Sequence, residues 1–95
     1  MKAYETVFAL KPELDEEARG VVINKVKAAI EAAGEITEVD EWGIRRLAYT
    51  IDKKYNEAYY VVINFLAEKT VLPALAHLYR ITDAVIRDIV ICKED

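Results

Sequence analysis

Between Lys2 and Leu10 the chain carries Tyr4, Thr6, Val7 and Phe8, a β-rich stretch closed by Lys11-Pro12, which predicts a first strand. Asp15 is placed to cap a helix, Glu16 and Glu17 suit the positive end of its dipole, and Val22, Val26, Ala29, Ile30 and Ala33 recur every three or four residues. Gly34 ends that helix. The interior Gly20 costs about 1 kcal/mol of propensity relative to Ala without changing the assignment. Glu35 to Ile51 alternates apolar and polar residues, broken at Trp42-Gly43, where a glycine marks a bulge or bend, so one long kinked strand is expected. Asp52 to Glu57 is charged and polar and reads as a turn, and Ala58 to Ala67 is the strongest strand in the chain. Thr70 is placed to cap a second helix whose first turn tolerates Pro73, with Val71, Leu72, Leu75, Leu78 and Tyr79 as its apolar face. Thr82-Asp83 turns the chain into a last strand from Val85 to Lys93, and Glu94-Asp95 is expected as a frayed end.

The order strand, helix, strand, strand, helix, strand is that of two split strand–helix–strand halves, an α+β arrangement of the ferredoxin-like βαββαβ kind. Right-handed crossovers then place both helices on one face of a four-stranded antiparallel sheet, with the first and third strands in the middle. The other face is left open. Val61, Ile63 and Phe65 share the face assigned to the core, and Tyr60, Val62 and Asn64 share the open one. Ile89, Val90 and Ile91 put apolar side chains on both faces of the last strand, so a partner covering Tyr60, Val62, Ile89 and Ile91 is one expectation. Scattered apolar residues on a soluble surface are the other.

Ninety-five residues, 54% hydrophobic with only 3 Gly and 2 Pro, fit one small domain spanning 1–95, with ample material for a core and little for a disordered tail. The balance of 13 Lys+Arg against 17 Asp+Glu, a formal charge of −4, excludes diffuse attraction to polyanions, so any contact with nucleic acid needs a local basic patch. A lone cysteine, Cys92, removes disulfide scaffolds and metal sites built on paired thiolates, and the cytosol is the expected compartment. Glu5 breaks the run after Lys2 that a secretory segment would need, and no apolar stretch approaches the ~18 residues of a membrane span.

Catalytic chemistry finds no foothold. Gly20, Gly34 and Gly43 are too scattered for a phosphate-cradling loop. His77 has no second histidine to share a metal and reads as a solvated residue on the polar side of its helix. Cys92 reads as a small packing residue, and Glu13, Asp15, Glu16 and Glu17 as a helix start. No cofactor is expected. RNA-recognition motifs share the topology, but the segment from Lys54 to Val62 lacks their Gly and carries Glu57. At most one of Tyr59 and Tyr60 faces the open side, where cross-strand packing competes with base stacking. Arg45-Arg46 follows the Trp42-Gly43 bend, Lys53-Lys54 follows at the strand end, and Arg80, Arg87 and Lys93 lie near or on the last strand. Adjacent Arg45 and Arg46 point to opposite sides of a strand, so one can grip a phosphate while the other pairs with Glu41 or Asp40. On the residues alone, a solvated charged hairpin and a binding patch both stand.

Trp42-Gly43-Ile44-Arg45-Arg46-Leu47-Ala48-Tyr49 resembles the bacterial small-subunit (30S) ribosomal protein six family. So do the opening Tyr4-Glu5-Thr6-Val7-Phe8, the strand Tyr59-Tyr60-Val61, and the run Ile81-Thr82-Asp83-Ala84-Val85-Ile86-Arg87, in order and spacing. The resemblance covers nearly the whole chain. It implies a non-catalytic, cytoplasmic component of the small-subunit platform, binding the central domain of small-subunit ribosomal RNA together with small-subunit ribosomal protein eighteen. It implies neither a membrane nor a small-molecule substrate. A basic partner that carries much of the phosphate neutralisation reconciles RNA binding with the net charge of −4.

By the same resemblance Lys2, Arg45, Arg46 and Arg87 match basic positions of the family and are the expected RNA contacts, whereas Tyr4 and Trp42 match aromatics open to core, partner or RNA roles. Two positions depart from the pattern: Thr50 stands where Pro often follows, and Cys92 where a basic residue is frequent, which removes one candidate phosphate contact. The longer tail of some members is absent after Asp95, so its functions are not carried over. Two competing readings of the topology are a small-molecule-sensing regulatory domain, which wants a Gly-rich ligand loop, and an acyl-phosphate hydrolase. The hydrolase needs a phosphate cradle where the acidic run from Lys11 to Asp15 lies.

Overall fold

A computed structural model describes residues 1–51 and 55–93, with the backbone alone at 47–51, 55 and 56. The elements run β1 (Lys2–Leu10), α1 (Glu16–Ala33), β2 (Gly34–Ile51), β3 (Tyr55–Ala67), α2 (Val71–Ile81) and β4 (Val85–Cys92). The four strands form one antiparallel sheet in the order β2-β3-β1-β4, so β1 and β3 are central as the crossover argument requires. Val22, Val26 and Ile30 of α1 and Val71, Leu75 and Tyr79 of α2 bury against Tyr4, Phe8, Leu10, Val61, Ile63 and Phe65 of the central strands. Both helices therefore cover the same sheet face. Tyr4 belongs wholly to this core, its ring stacked on Phe65 at 5.7 Å.

The caps differ. Asp15 accepts a hydrogen bond from the Ala18 amide at 2.7 Å, as an N-cap should. Thr70 occupies the cap position of α2 but makes no side-chain cap bond, because its backbone is already helical and the amides of Val71 and Leu72 bond to the carbonyls of Glu68 and Lys69. The buried stripe of α2 repeats at every fourth residue, 71, 75 and 79, which leaves Leu72 about one-third exposed rather than on the apolar face. Gly34 ends α1 with an extended backbone, not a left-handed one. Its role is close approach: a Cβ there would collide with the Leu66 carbonyl oxygen and lie 2.6 Å from Ala67 Cα.

In β2 the pairing slips by one residue between Glu41 and Gly43, and Gly43 has φ +81°, so the expected bend is a bulge at Trp42. β3 begins at Tyr55, not Ala58, because the polar stretch through Glu57 continues the hairpin, with Glu57 across from Arg46 and Ala58 across from Arg45. Asp52, Lys53 and Lys54 of the expected turn, and Glu94-Asp95, lie outside the described residues, as do the side chains of Tyr49 and Thr50. Cys92 is exposed at the last residue of the edge strand β4, where the sheet ends, so it is not a packing residue.

Candidate nucleic-acid and partner interface

The sheet face turned away from the helices is organised in rows across the strands. Strand alternation and register place Gly43, Tyr60, Ala9 and Arg87 in one row, Asp40, Val62, Val7 and Ile89 in the next, and Glu38, Asn64, Glu5 and Ile91 in a third. The face is thus graded. Trp42, Tyr60, Arg45, Arg46 and Arg87 gather at one end, an apolar belt crosses the middle, and Glu5 and Glu38 mark the other end.

At the basic end, Trp42, Arg45, Arg46 and Tyr60 line an open groove of about 520 Å³. Tyr60 also lines a smaller depression of about 100 Å³ with Val7, Ala9, Arg87 and Ile89, so one tyrosine joins the β2 margin to β4. The backbones of Gly43 and Arg87 are three strand spacings apart, about 14 Å. Trp42 is 47% exposed, its Nε1 donates to Asp40 Oδ2 at 3.0 Å, and its ring meets Tyr60 at 6.2 Å.

Arg45 and Arg46 alternate in register, yet both reach this groove, since long guanidinium side chains on a twisted edge strand approach a rim from either side. The expected pairing of one with Glu41 or Asp40 does not occur among the described residues. Asp40 holds Trp42, and Glu41 Oε1 accepts from the Tyr59 hydroxyl at 2.9 Å. Tyr59 faces the helix side. The Arg19 guanidinium lies 4.4 Å from its ring centroid, and burial, then the Glu41 bond, raises its phenol above the ordinary 10.0 and keeps it a neutral donor. This Arg19–Tyr59–Glu41 cluster was not visible from the sequence, because Glu41 and Tyr59 meet only through the bulged hairpin register.

The other expected site residues separate. Lys2 is exposed at the start of β1, about 23 Å along the strand from Ala9, and shares neither the groove nor the row of Arg87. Ile89 and Ile91 are 51% and 43% exposed on the open face, and Tyr60 is half-buried there. Val62 departs from the expectation: it lies on the open face but is 5% exposed, flanked in register by Val7 and Asp40, so it supports the belt and offers a partner little surface. Lys93 Nζ donates to Asn64 Oδ1 at 3.0 Å in the third row. Among the described residues no group of three His, Cys, Asp or Glu side chains is placed to hold a metal, and no helix is long and apolar enough to cross a membrane.

The sheet is ferredoxin-like, one face packed by the helices and the other carrying Trp42, Tyr60 and the arginines at one end, Val62, Val7 and Ile89 across the middle, and Glu5 and Glu38 at the far end. The family model for ribosomal protein S6 matches residues 3–92. The small ribosomal subunit protein bS6 of Clostridium novyi is 50% identical over 99% of both chains, and that of Caldanaerobacter subterraneus is 48% identical over the full length of both. The crystal structure of 30S ribosomal protein S6 from Thermotoga maritima superimposes with a TM-score of 0.90 at 36% identity, covering 97% of this chain and 87% of that one. The chain belongs to the ribosomal protein S6 family, whose members are structural, non-enzymatic components of the small subunit of the cytoplasmic ribosome in bacteria.

Proposed function

We propose that residues 1–95 act as one unit in the platform of the small ribosomal subunit, binding the central domain of its ribosomal RNA together with small-subunit ribosomal protein eighteen. The observation that carries this reading is the grading of the open face. Arg45, Arg46 and Arg87 are concentrated at one end of a chain whose net charge is −4, which suits local phosphate contact rather than diffuse attraction. Ile89 stands exposed beside Val62 on the apolar belt, with Tyr60 in the row before it and Ile91, also exposed, in the row of Glu5 and Glu38, a surface suited to a partner that is itself basic. Lys2, remote from that cluster, would meet a different stretch of RNA.

Filter binding of a central-domain RNA fragment at fixed salt tests the proposal. The chain alone binds weakly, and protein eighteen raises its affinity by a coupling in the range of about 5- to 150-fold. Equal affinity with and without that partner would overturn the joint-binding reading.

A further inference from the structure

We propose that Trp42 is a stacking platform for one unpaired nucleobase, with Arg45 and Arg46 gripping the phosphates that flank it. This rests on the RNA-binding reading above and names the part of the RNA that the basic end of the sheet receives.

Three features set the indole in place. The bulge with Gly43 at φ +81° throws Trp42 onto the open face, and a side chain at position 43 would be strained in that backbone. Asp40 Oδ2 pins Nε1, and Tyr60 backs the ring with an interplanar angle of 41°. A large aromatic so anchored and still 47% exposed is a preformed surface rather than a loose one. Because the two rings meet at a tilt, a base stacks on the outer surface of the indole and not between Trp42 and Tyr60.

The occupant follows from charge. Arg45 and Arg46 line the same groove with no ion pair to an acid among the described residues, so the groove presents two cations around an aromatic surface. A segment of a basic protein would bring like charges against them. An unpaired nucleotide satisfies both features, a π-face for the indole and phosphates for the guanidinium groups. Stacking of this kind tolerates any base, since every base has a π-face. Double-stranded RNA keeps its bases stacked on one another and cannot use the platform.

Trp42 is the chain's one tryptophan, so its fluorescence reads the site directly. Single-stranded RNA hexamers are expected to quench it saturably, and a duplex with the same number of phosphates is not. In the full complex with protein eighteen, Trp42→Leu is expected to lower affinity for the central-domain RNA fragment about tenfold, and Trp42→Phe to retain most of it. Equal quenching by duplex, or unchanged RNA affinity of Trp42→Leu, would overturn the platform and leave the RNA reading standing. Weaker pairing of Trp42→Leu with protein eighteen in the absence of RNA would reassign Trp42 to the protein interface. Failure of the unaltered pair to bind the fragment would remove the RNA reading and the platform with it.

Discussion

The hydroxyls of Tyr79 and Thr6 lie 2.6 Å apart in the core, and Thr6 Oγ1 is also 3.2 Å from the carbonyl oxygen of Ile89. A carbonyl can only accept, so Thr6 donates its single proton to Ile89 and Tyr79 donates to Thr6. One relay of two hydrogen bonds thus ties α2 to β1 and to β4, the strand that carries Arg87, Ile89 and Ile91.

The relay is asymmetric, and its variants should be too. Tyr79→Phe removes the outer donor and leaves Thr6 bonded to Ile89, which costs about 1 kcal/mol. Thr6→Val keeps the volume but leaves a buried phenol without its acceptor, and costs about 1–3 kcal/mol. Burial pushes the Tyr79 phenol far above its ordinary 10.0, which sets the sign of the pH dependence. The unfolded chain loses that proton first, so stability is constant with respect to this group below pH ~10 and falls above it by about 1.4 kcal/mol per pH unit. Denaturant unfolding between pH 9 and 11, compared with Tyr79→Phe, measures the difference; the variant is expected to show the shallower decline.

Two glycines should respond oppositely to alanine. Gly20 has nothing within 4 Å of the Cβ position, so Gly20→Ala is expected to stabilise α1 by about 0.5–1 kcal/mol. At Gly34 the obstacle is the backbone of Leu66 and Ala67, which cannot swing aside, and Gly34→Ala is expected to cost about 1–3 kcal/mol. Thermal or urea unfolding of both variants decides the signs.

Ile89 and Val62 face the same side of the sheet with different burial, so they separate pairing from folding. Ile89→Asp should leave stability within about 0.5 kcal/mol and weaken capture of protein eighteen, where the new carboxylate would be desolvated. Val62→Ala should cost about 1–2 kcal/mol of stability instead. A loss of stability with unchanged capture in Ile89→Asp would return that residue to the fold.

Ala substitutions of Arg45, Arg46 and Arg87, made one at a time, should each lower affinity for cognate and altered RNA alike. Removing one arginine–phosphate pair reduces the slope of log K against log salt by about 1. Lys in place of Arg should retain part of the effect, since the charge remains while the planar fork is lost. An unaltered slope in the assembled complex would make these arginines braces of the sheet margin.

Much of this architecture is legible in the sequence because burial writes a period. The alternation of Val61, Ile63 and Phe65 against Tyr60, Val62 and Asn64, and the helical spacing of Val22, Val26 and Ile30, record which side each residue packs on. The bend at Trp42-Gly43 is legible for a different reason, that glycine marks backbone few other residues adopt. Polar and edge features leave no such record. The start of β3 at Tyr55 is hidden because an exposed hairpin extension carries no apolar signal, and the convergence of Arg45 and Arg46 depends on edge-strand geometry that strict alternation does not describe. The burial of Val62 depends on Val7 and Asp40, neighbours that only the strand order brings beside it. Thr70 has the residue type of a cap but not the backbone of one.

The proposed function makes the open face, not the helix face, the working surface, and chemical-shift mapping of the labelled chain on adding protein eighteen and then the RNA fragment tests that most directly. Protein eighteen is expected to move the resonances of Ile89, Ile91 and Tyr60, and the RNA those of Trp42, Arg45, Arg46 and Arg87, while Gly20, Leu72 and His77 on the helices stay in place. Changes concentrated on the helices with the sheet rows unmoved would contradict the account.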